Sequence, residues 1–214
     1  MTTTAPTTTS IAHTPGSPAT TTSTSSATTS TVTVFVTVSA SGGVSGATTI
    51  VPPAASVASV TGTVSVLPPK GKHFEPVSSK ESIPSGSTVD AAHGTVSIAL
   101  KGPNGKSDTG QFSGGEFVLE RTSGGATTVT LTGGSFARCK AGAVIRELWV
   151  NAPASVTAVG RWASVTGSAA KWLTEDRCAG TYVSVATGTV TVTPDATHKG
   201  KTLRAPKNLL VEAP

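Results

Sequence analysis

Two cysteines, Cys139 and Cys178, are the only ones in the chain, and such a pair can form a disulfide, bind a metal or stay reduced. No histidine lies close enough to either cysteine for the ligand spacing of a zinc site, so we predict no metal ion. We expect one disulfide, which would close a loop of about 40 residues and stabilise the fold by roughly 4 kcal/mol in the chain-entropy model. Two buried free thiols are the alternative. A disulfide would indicate an oxidising compartment.

Other reactive side chains form no recognised catalytic pattern in the sequence. Asn104–Ser107 resembles the end of a phosphate-binding loop, but Leu100 stands where the first glycine is required. Glu175 and Asp176 are adjacent, and neighbours on a strand point to opposite faces, so they cannot flank one glycosidic bond. We expect them in a solvated turn before Cys178. We therefore predict no catalytic residue, no enzyme and no cofactor, with a hydrolase as the minor alternative. The histidines stand in unrelated contexts, without a metalloprotease motif: His13, His73, His93 and His198.

Three tryptophans could bind sugars, because exposed aromatic rings stack on sugar faces. Aromatic residues make up only 4% of the chain, so we expect the three rings to be core anchors instead. They are kept as candidate ligand contacts together with three basic residues near the C-terminus: Trp149, Trp162, Trp172, Lys199, Lys201 and Arg204.

The net charge of +5 raises the question of nucleic-acid binding. Basic residues are scattered, usually with an acid nearby, and the densest stretch runs only from Lys199 to Lys207. This distribution favours a solvated basic face, so we predict no nucleic-acid partner. No stretch approaches the roughly 18 apolar residues of a membrane helix, so we predict no transmembrane segment.

The first part of the chain has a different composition from the rest. Residues 1–69 contain no Asp, Glu, Lys or Arg, and we predict a disordered Thr/Ser/Ala/Pro tail or O-glycosylated stalk over residues 1–56. Within it, residues 31–38 alternate apolar and polar residues as a strand does. That strand could dock on the edge of a sheet, pair with another copy or stay unpaired. The N-terminus lacks the basic start and apolar core of a signal peptide.

Residues 57–213 predict one all-β domain of about 10–12 short strands, arranged as a β-sandwich or β-roll. Short runs of alternating Val and Thr are separated by glycine-containing turns, and no helical periodicity occurs. We expect the runs on either side of Ala186–Gly188 to pair as a hairpin. The candidate strands are Val60–Leu67, Thr95–Leu100, Glu116–Arg121, Thr127–Leu131, Val144–Val150, Val156–Val159, Lys171–Thr174, Thr181–Val185, Thr189–Thr193 and Asn208–Val211.

Several segments of this domain resemble FecR-like modules of exported, actinobacterial-type proteins. The most specific part runs from Trp172 to Val192, where an Asp-Arg-Cys-x-Gly-Thr segment precedes a Gly-x-Val-x-Val strand. The chain departs from the family at Thr166, where an Arg is common, and at Ala205–Lys207, which replaces a glycine turn. The other similar segments are Ile83–Ile98, Phe112–Phe117 and Ala163–Ser168.

The resemblance implies an extracytoplasmic β domain without catalytic residues. The best-known FecR proteins relay a signal from an outer-membrane receptor to a membrane anti-sigma partner, whereas this sequence shows no membrane helix. We therefore expect a secreted or cell-surface interaction or signalling-related module whose partner is a protein or a cell-wall polymer. A carbohydrate-binding module that uses the tryptophans is the alternative.

Overall fold

The computed structural model describes residues 54–101, 107–122, 124–137, 139–140 and 142–214. The predictions for the tail up to residue 53 and for the strand at 31–38 lie outside these residues. Within them the fold is all-β and contains no helix, which confirms the predicted fold class. It follows that no helix in the described ranges is long and apolar enough to cross a membrane.

The described residues form fifteen strands, and each predicted strand lies within one of them. The five that the pattern missed are short or poor in apolar residues, as in β5, where only Gly110 and Phe112 face the core. The strands are β1 (Ala54–Leu67), β2 (Glu75–Pro76), β3 (Ser82–Pro84), β4 (Ser87–Lys101), β5 (Ser107–Ser113), β6 (Glu116–Arg121), β7 (Thr127–Thr132), β8 (Val144–Ala152), β9 (Val156–Val159), β10 (Ala163–Gly167), β11 (Ala170–Arg177), β12 (Gly180–Thr187), β13 (Thr189–Pro194), β14 (Lys201–Arg204) and β15 (Asn208–Glu212).

The strands form one nearly closed sheet in the order β14-β13-β10-β9-β7-β6-β4-β5-β8-β11-β12-β15. Strand β1 pairs with β4, and the short β2 and β3 pair with β1. All pairs are antiparallel except β7 with β9. The sheet therefore brings together segments that are distant in sequence, such as β8 and β11.

The predicted hairpin around residues 186–188 is wrong. Strand β12 pairs with β11 and β15, whereas β13 pairs with β10 and β14. The two strands are consecutive in sequence but lie at separate places in the order of the sheet. The two terminal strands of the sheet, β14 and β15, are joined by the short turn 205–207.

The core lies inside the curved sheet and is filled by the inward positions of the alternating strands. Its largest fully buried side chain is Trp172, and the rings of Phe112 and Phe117 lie 5.5 Å apart between centroids. Each of these rings buries about 150–250 Å², in a core that is otherwise rich in valine. The expectation that a tryptophan anchors the core therefore holds for Trp172.

Candidate functional site

The structure places the predicted ligand contacts on separate elements. Trp172 is fully buried, so its ring cannot stack on a ligand at the surface, and its candidacy as a contact is withdrawn. Trp149 is half-buried on β8, with Lys171 Nζ 5.5 Å from its ring centroid. Trp162 is half-buried in the turn between β9 and β10. The basic candidates are exposed on the terminal strand β14 or just before it: Lys199, Lys201 and Arg204.

A buried carboxylate organises the region around Trp162. Asp176 is fully buried on β11 and lies opposite Arg146 of β8, whose Nε donates to Oδ2 at 2.7 Å. The backbone N–H of Arg161 donates to both carboxylate oxygens, at 2.9 and 3.0 Å, and Thr181 Oγ1 donates to Oδ1 at 2.6 Å. Bonds to an ionised acceptor are stronger than neutral ones, so Asp176 fixes the β9–β10 turn on the end of β11.

The expectation that Glu175 and Asp176 lie in a solvated turn is wrong. Both carboxylates are buried within β11, because this strand lies between β8 and β12 and is covered on both faces. Their side chains do point to opposite faces, and each has its own arginine. Arg177 Nε donates to Glu175 at 2.6 Å, two residues along the same face.

A glycine allows the close approach of the turn to Asp176. A Cβ atom at Gly160 would lie 2.7 Å from Asp176 Oδ1 and 2.9 Å from a side-chain carbon of Thr181. Only a residue without a side chain leaves room for the carboxylate to accept from the next backbone N–H.

The Arg161 side chain lies against two aromatic rings. Its guanidinium carbon is 4.2 Å from the centroid of Phe136 and 5.1 Å from that of Trp162. The two rings meet edge to face, with centroids 5.5 Å apart, and the guanidinium carbon of Arg146 is 5.4 Å from the Phe136 centroid. We call Phe136, Arg146, Arg161, Trp162 and Asp176 the arginine–aromatic cluster.

Arg161 is the member of the cluster that faces solvent. Its side chain is exposed, and among the described residues its guanidinium forms no ion pair. Arg146, in contrast, is neutralised by Asp176. A guanidinium with free donors can bind a carboxylate or phosphate bidentately, and its stacking on aromatic rings holds it in position beforehand.

The predicted disulfide is present beside this cluster. Cys139 and Cys178 are joined, with their Cα atoms 5.5 Å apart and a sequence separation of 39. Cys178 follows β11 directly, and the Cys139 N–H donates to the Phe136 carbonyl at 3.3 Å. The bond thus ties the segment that carries Phe136 to the end of β11.

An acidic groove of about 500 Å³ adjoins Arg146. Its walls include Gly114 and the carboxylates of Asp90, Glu116 and Glu147. Partial burial raises the pKa of the Glu116 carboxyl above its usual 4.5, and the nearby charge of Asp90 adds to this. The described residues contain no group of three or more His, Cys, Asp or Glu side chains that could hold a metal ion.

Sequence reasoning did not find the arginine–aromatic cluster, because its members come from four separate segments. Only two local signals pointed to it. One was the run Gly160-Arg161-Trp162 between two strands, and the other was Asp176 close to Cys178. Neither signal indicates which residues meet until the partner strands of β11 are known.

Comparison with protein-family models, curated proteins and solved structures finds no match to this chain.

Proposed function

We propose that the chain is a non-catalytic, extracytoplasmic interaction module of the FecR-like kind, which binds an acidic segment of a protein partner through Arg161. The resemblance over Trp172–Val192 supports the FecR-like assignment. The disulfide supports an oxidising compartment, which agrees with a secreted or cell-surface location. A signalling role would require a sigma-factor system, and an adjacent sigma-factor gene would support it.

The exposed, unneutralised guanidinium of Arg161 carries this proposal. Its backbone is fixed by Asp176 and its side chain by Phe136 and Trp162, so little conformational entropy is lost when a ligand binds. Arginine is enriched at the energetic centre of protein interfaces, and aromatic neighbours exclude water from its hydrogen bonds. An aspartate or glutamate side chain supplies the two acceptors that the guanidinium lacks.

The test uses the tryptophan fluorescence of the protein, to which Trp162, next to Arg161, contributes together with Trp149 and Trp172. A Glu-rich peptide should shift the emission saturably at low salt, whereas a Lys-rich peptide of equal length should not. Arg161→Gln should weaken binding at least about tenfold, because it removes the charge-assisted bonds. Arg204→Gln removes an exposed arginine on β14 and serves as the matched control. Equal binding by the two variants, or equal binding of both peptides, would contradict the proposal.

A carbohydrate- or wall-polymer-binding module is the second candidate. Trp149 favours it, because its half-buried ring lies on the outward face of β8 with Lys171 beside it. In this case neutral wall glycans should bind, and Trp149→Ala should abolish the binding while Arg161→Gln leaves it intact. Trp172→Ala is not a suitable variant for this test, since that ring belongs to the core.

A further inference from the structure

The segment 133–143 connects β7 to β8 and carries Phe136, and none of its described residues lies in a strand. Among its described residues, the hydrogen bonds of the backbone N–H groups outside the strand ladders join residues of the segment to one another. Ala137 N–H donates to Ser135 Oγ, Cys139 N–H to the Phe136 carbonyl, and Ala143 N–H to the Lys140 carbonyl. Such local bonds shape the segment but do not attach it to the rest of the domain.

Two described contacts attach this segment to the rest of the domain near the cluster. One is the disulfide from Cys139 to Cys178, and the other is the ring of Phe136 against Arg146, Arg161 and Trp162. The Cys178 sulfur also lies 2.7 Å from the Lys140 carbonyl oxygen, but a disulfide sulfur has no proton to donate. One half-buried ring does not offset the backbone entropy of a segment this long, so the disulfide is the main attachment.

Loss of the disulfide would leave the rest of the site in place. The bonds from Asp176 to Arg146, to the Arg161 backbone and to Thr181 involve neither cysteine. Strand β11 keeps its ladders with β8 and β12. Opening of the disulfide therefore acts on Phe136 and not on the position of the β9–β10 turn.

We propose that the Cys139–Cys178 disulfide is a redox-operated clamp that sets the affinity of the Arg161 site by holding Phe136 against it. A dithiol reductant opens the clamp. One of its thiolates attacks a cysteine sulfur to form a mixed disulfide, and its second thiolate then displaces the protein sulfur. The dithiol is oxidised to a disulfide, and the protein gains two electrons and two protons as two thiols. Both cysteines are partly exposed, so a reductant can reach them.

The effect on affinity rests on the proposed function, whereas release of the segment does not. With Phe136 gone, Arg161 loses the nearer of its two aromatic contacts and becomes mobile. We expect the affinity for the Glu-rich peptide to fall about three- to tenfold on reduction, which matches the strength of a partly exposed cation–π contact. Phe136→Ala in the oxidised protein should give a similar fall.

The test is hydrogen exchange of the full chain with and without dithiothreitol, followed by mass spectrometry. Reduction should increase exchange at least about tenfold in peptides that cover residues 133–143, while peptides from β8, β11 and β12 stay protected. The Cys139→Ser/Cys178→Ser double variant should resemble the reduced protein. Phe136→Ala is the matched control, because it removes the ring and keeps the covalent attachment.

Each result decides one part of the proposal. Unchanged exchange in the segment on reduction would overturn the clamp, and so would loss of protection throughout the sheet, which would mean that the disulfide supports the whole fold. If reduction releases the segment but leaves the affinity for the Glu-rich peptide unchanged, the proposal that the disulfide sets the affinity of the Arg161 site is overturned. If the segment is released but the peptide binds neither form, the proposed function fails while the clamp stands.

Discussion

Asp176 shows how one residue can organise a site without contacting a ligand. It is fully buried, and its two oxygens accept four hydrogen bonds from a facing strand, a turn and the neighbouring strand. Each donor offsets part of the cost of removing the carboxylate from water. Asp176 is therefore a positioning residue for Arg161.

Replacement of Asp176 should destabilise the protein strongly. Asp176→Ala would leave Arg146 without its partner and the Arg161 N–H without an acceptor, so we expect a loss of about 3–5 kcal/mol in the free energy of unfolding. Urea denaturation measures this directly. Asp195→Ala removes an exposed aspartate and should cost less than about 0.5 kcal/mol. Similar losses for the two variants would show that the buried hydrogen bonds contribute little.

The raised pKa of Glu116 predicts a pH effect on stability. Because folding raises this pKa, the stabilising contribution is fully present below the usual value of 4.5 and is lost as the pH rises through the folded-state pKa. Glu116→Gln cannot ionise and avoids that loss. Its melting temperature relative to the natural protein should therefore be higher at about pH 7 than at about pH 4. Glu120→Gln on the same strand controls for removal of a charge, and an equal pH effect in both variants would contradict the assignment.

At the scale of elements, the connection between β5 and β6 determines how closely β8 can approach. Gly115 lies in this connection, and a Cβ atom there would be only 1.8 Å from the backbone oxygen of Glu147. Strand β5 pairs with β8 through Gln111–Ser113, just before this glycine. The absence of a side chain at one position thus allows two distant parts of the chain to pair.

Gly115→Ala should therefore disrupt the contact between β8 and this connection. The neighbouring atom belongs to the backbone and cannot move aside like a flexible side chain, so we expect a loss of at least about 3 kcal/mol. Thermal and urea unfolding of the variant would measure the loss. Gly124→Ala is the matched control, because its nearest atom would lie at an ordinary 3.7 Å. A stable Gly115→Ala protein would show that the strands can separate at little cost.

At the scale of the whole molecule, the three tryptophans have different roles. Trp172 fills the centre of the core, and among the described residues its Nε1 has no hydrogen-bond partner, so the ring contributes by its volume alone. Trp149 lies on the outward face and Trp162 beside Arg161. A single residue type therefore serves the core, an outer face and the proposed site.

Truncation of these rings should separate their roles. Trp172→Ala should cost about 3–5 kcal/mol, because it leaves a large cavity in the core. Trp149→Ala should cost only about 1–2 kcal/mol, since its ring is already partly in solvent. Equilibrium unfolding in urea, followed by circular dichroism, would compare them. Equal losses would indicate that the outward face is packed as tightly as the core.

Local patterns in the sequence were enough to predict the all-β class, ten of the fifteen described strands and the pair of cysteines that the structure joins. The strands depend on local alternation, which a single stretch of residues shows. The disulfide depends on there being only two cysteines, which a count shows. The sequence did not reveal β5, whose inward positions are Gly110 and Phe112, or the burial of Asp176. The tertiary structure alone decided that β12 and β13 separate, and that Phe136, Arg161 and Asp176 meet. Strand partners are chosen by packing across the whole sheet, and no local pattern in the chain encodes that choice.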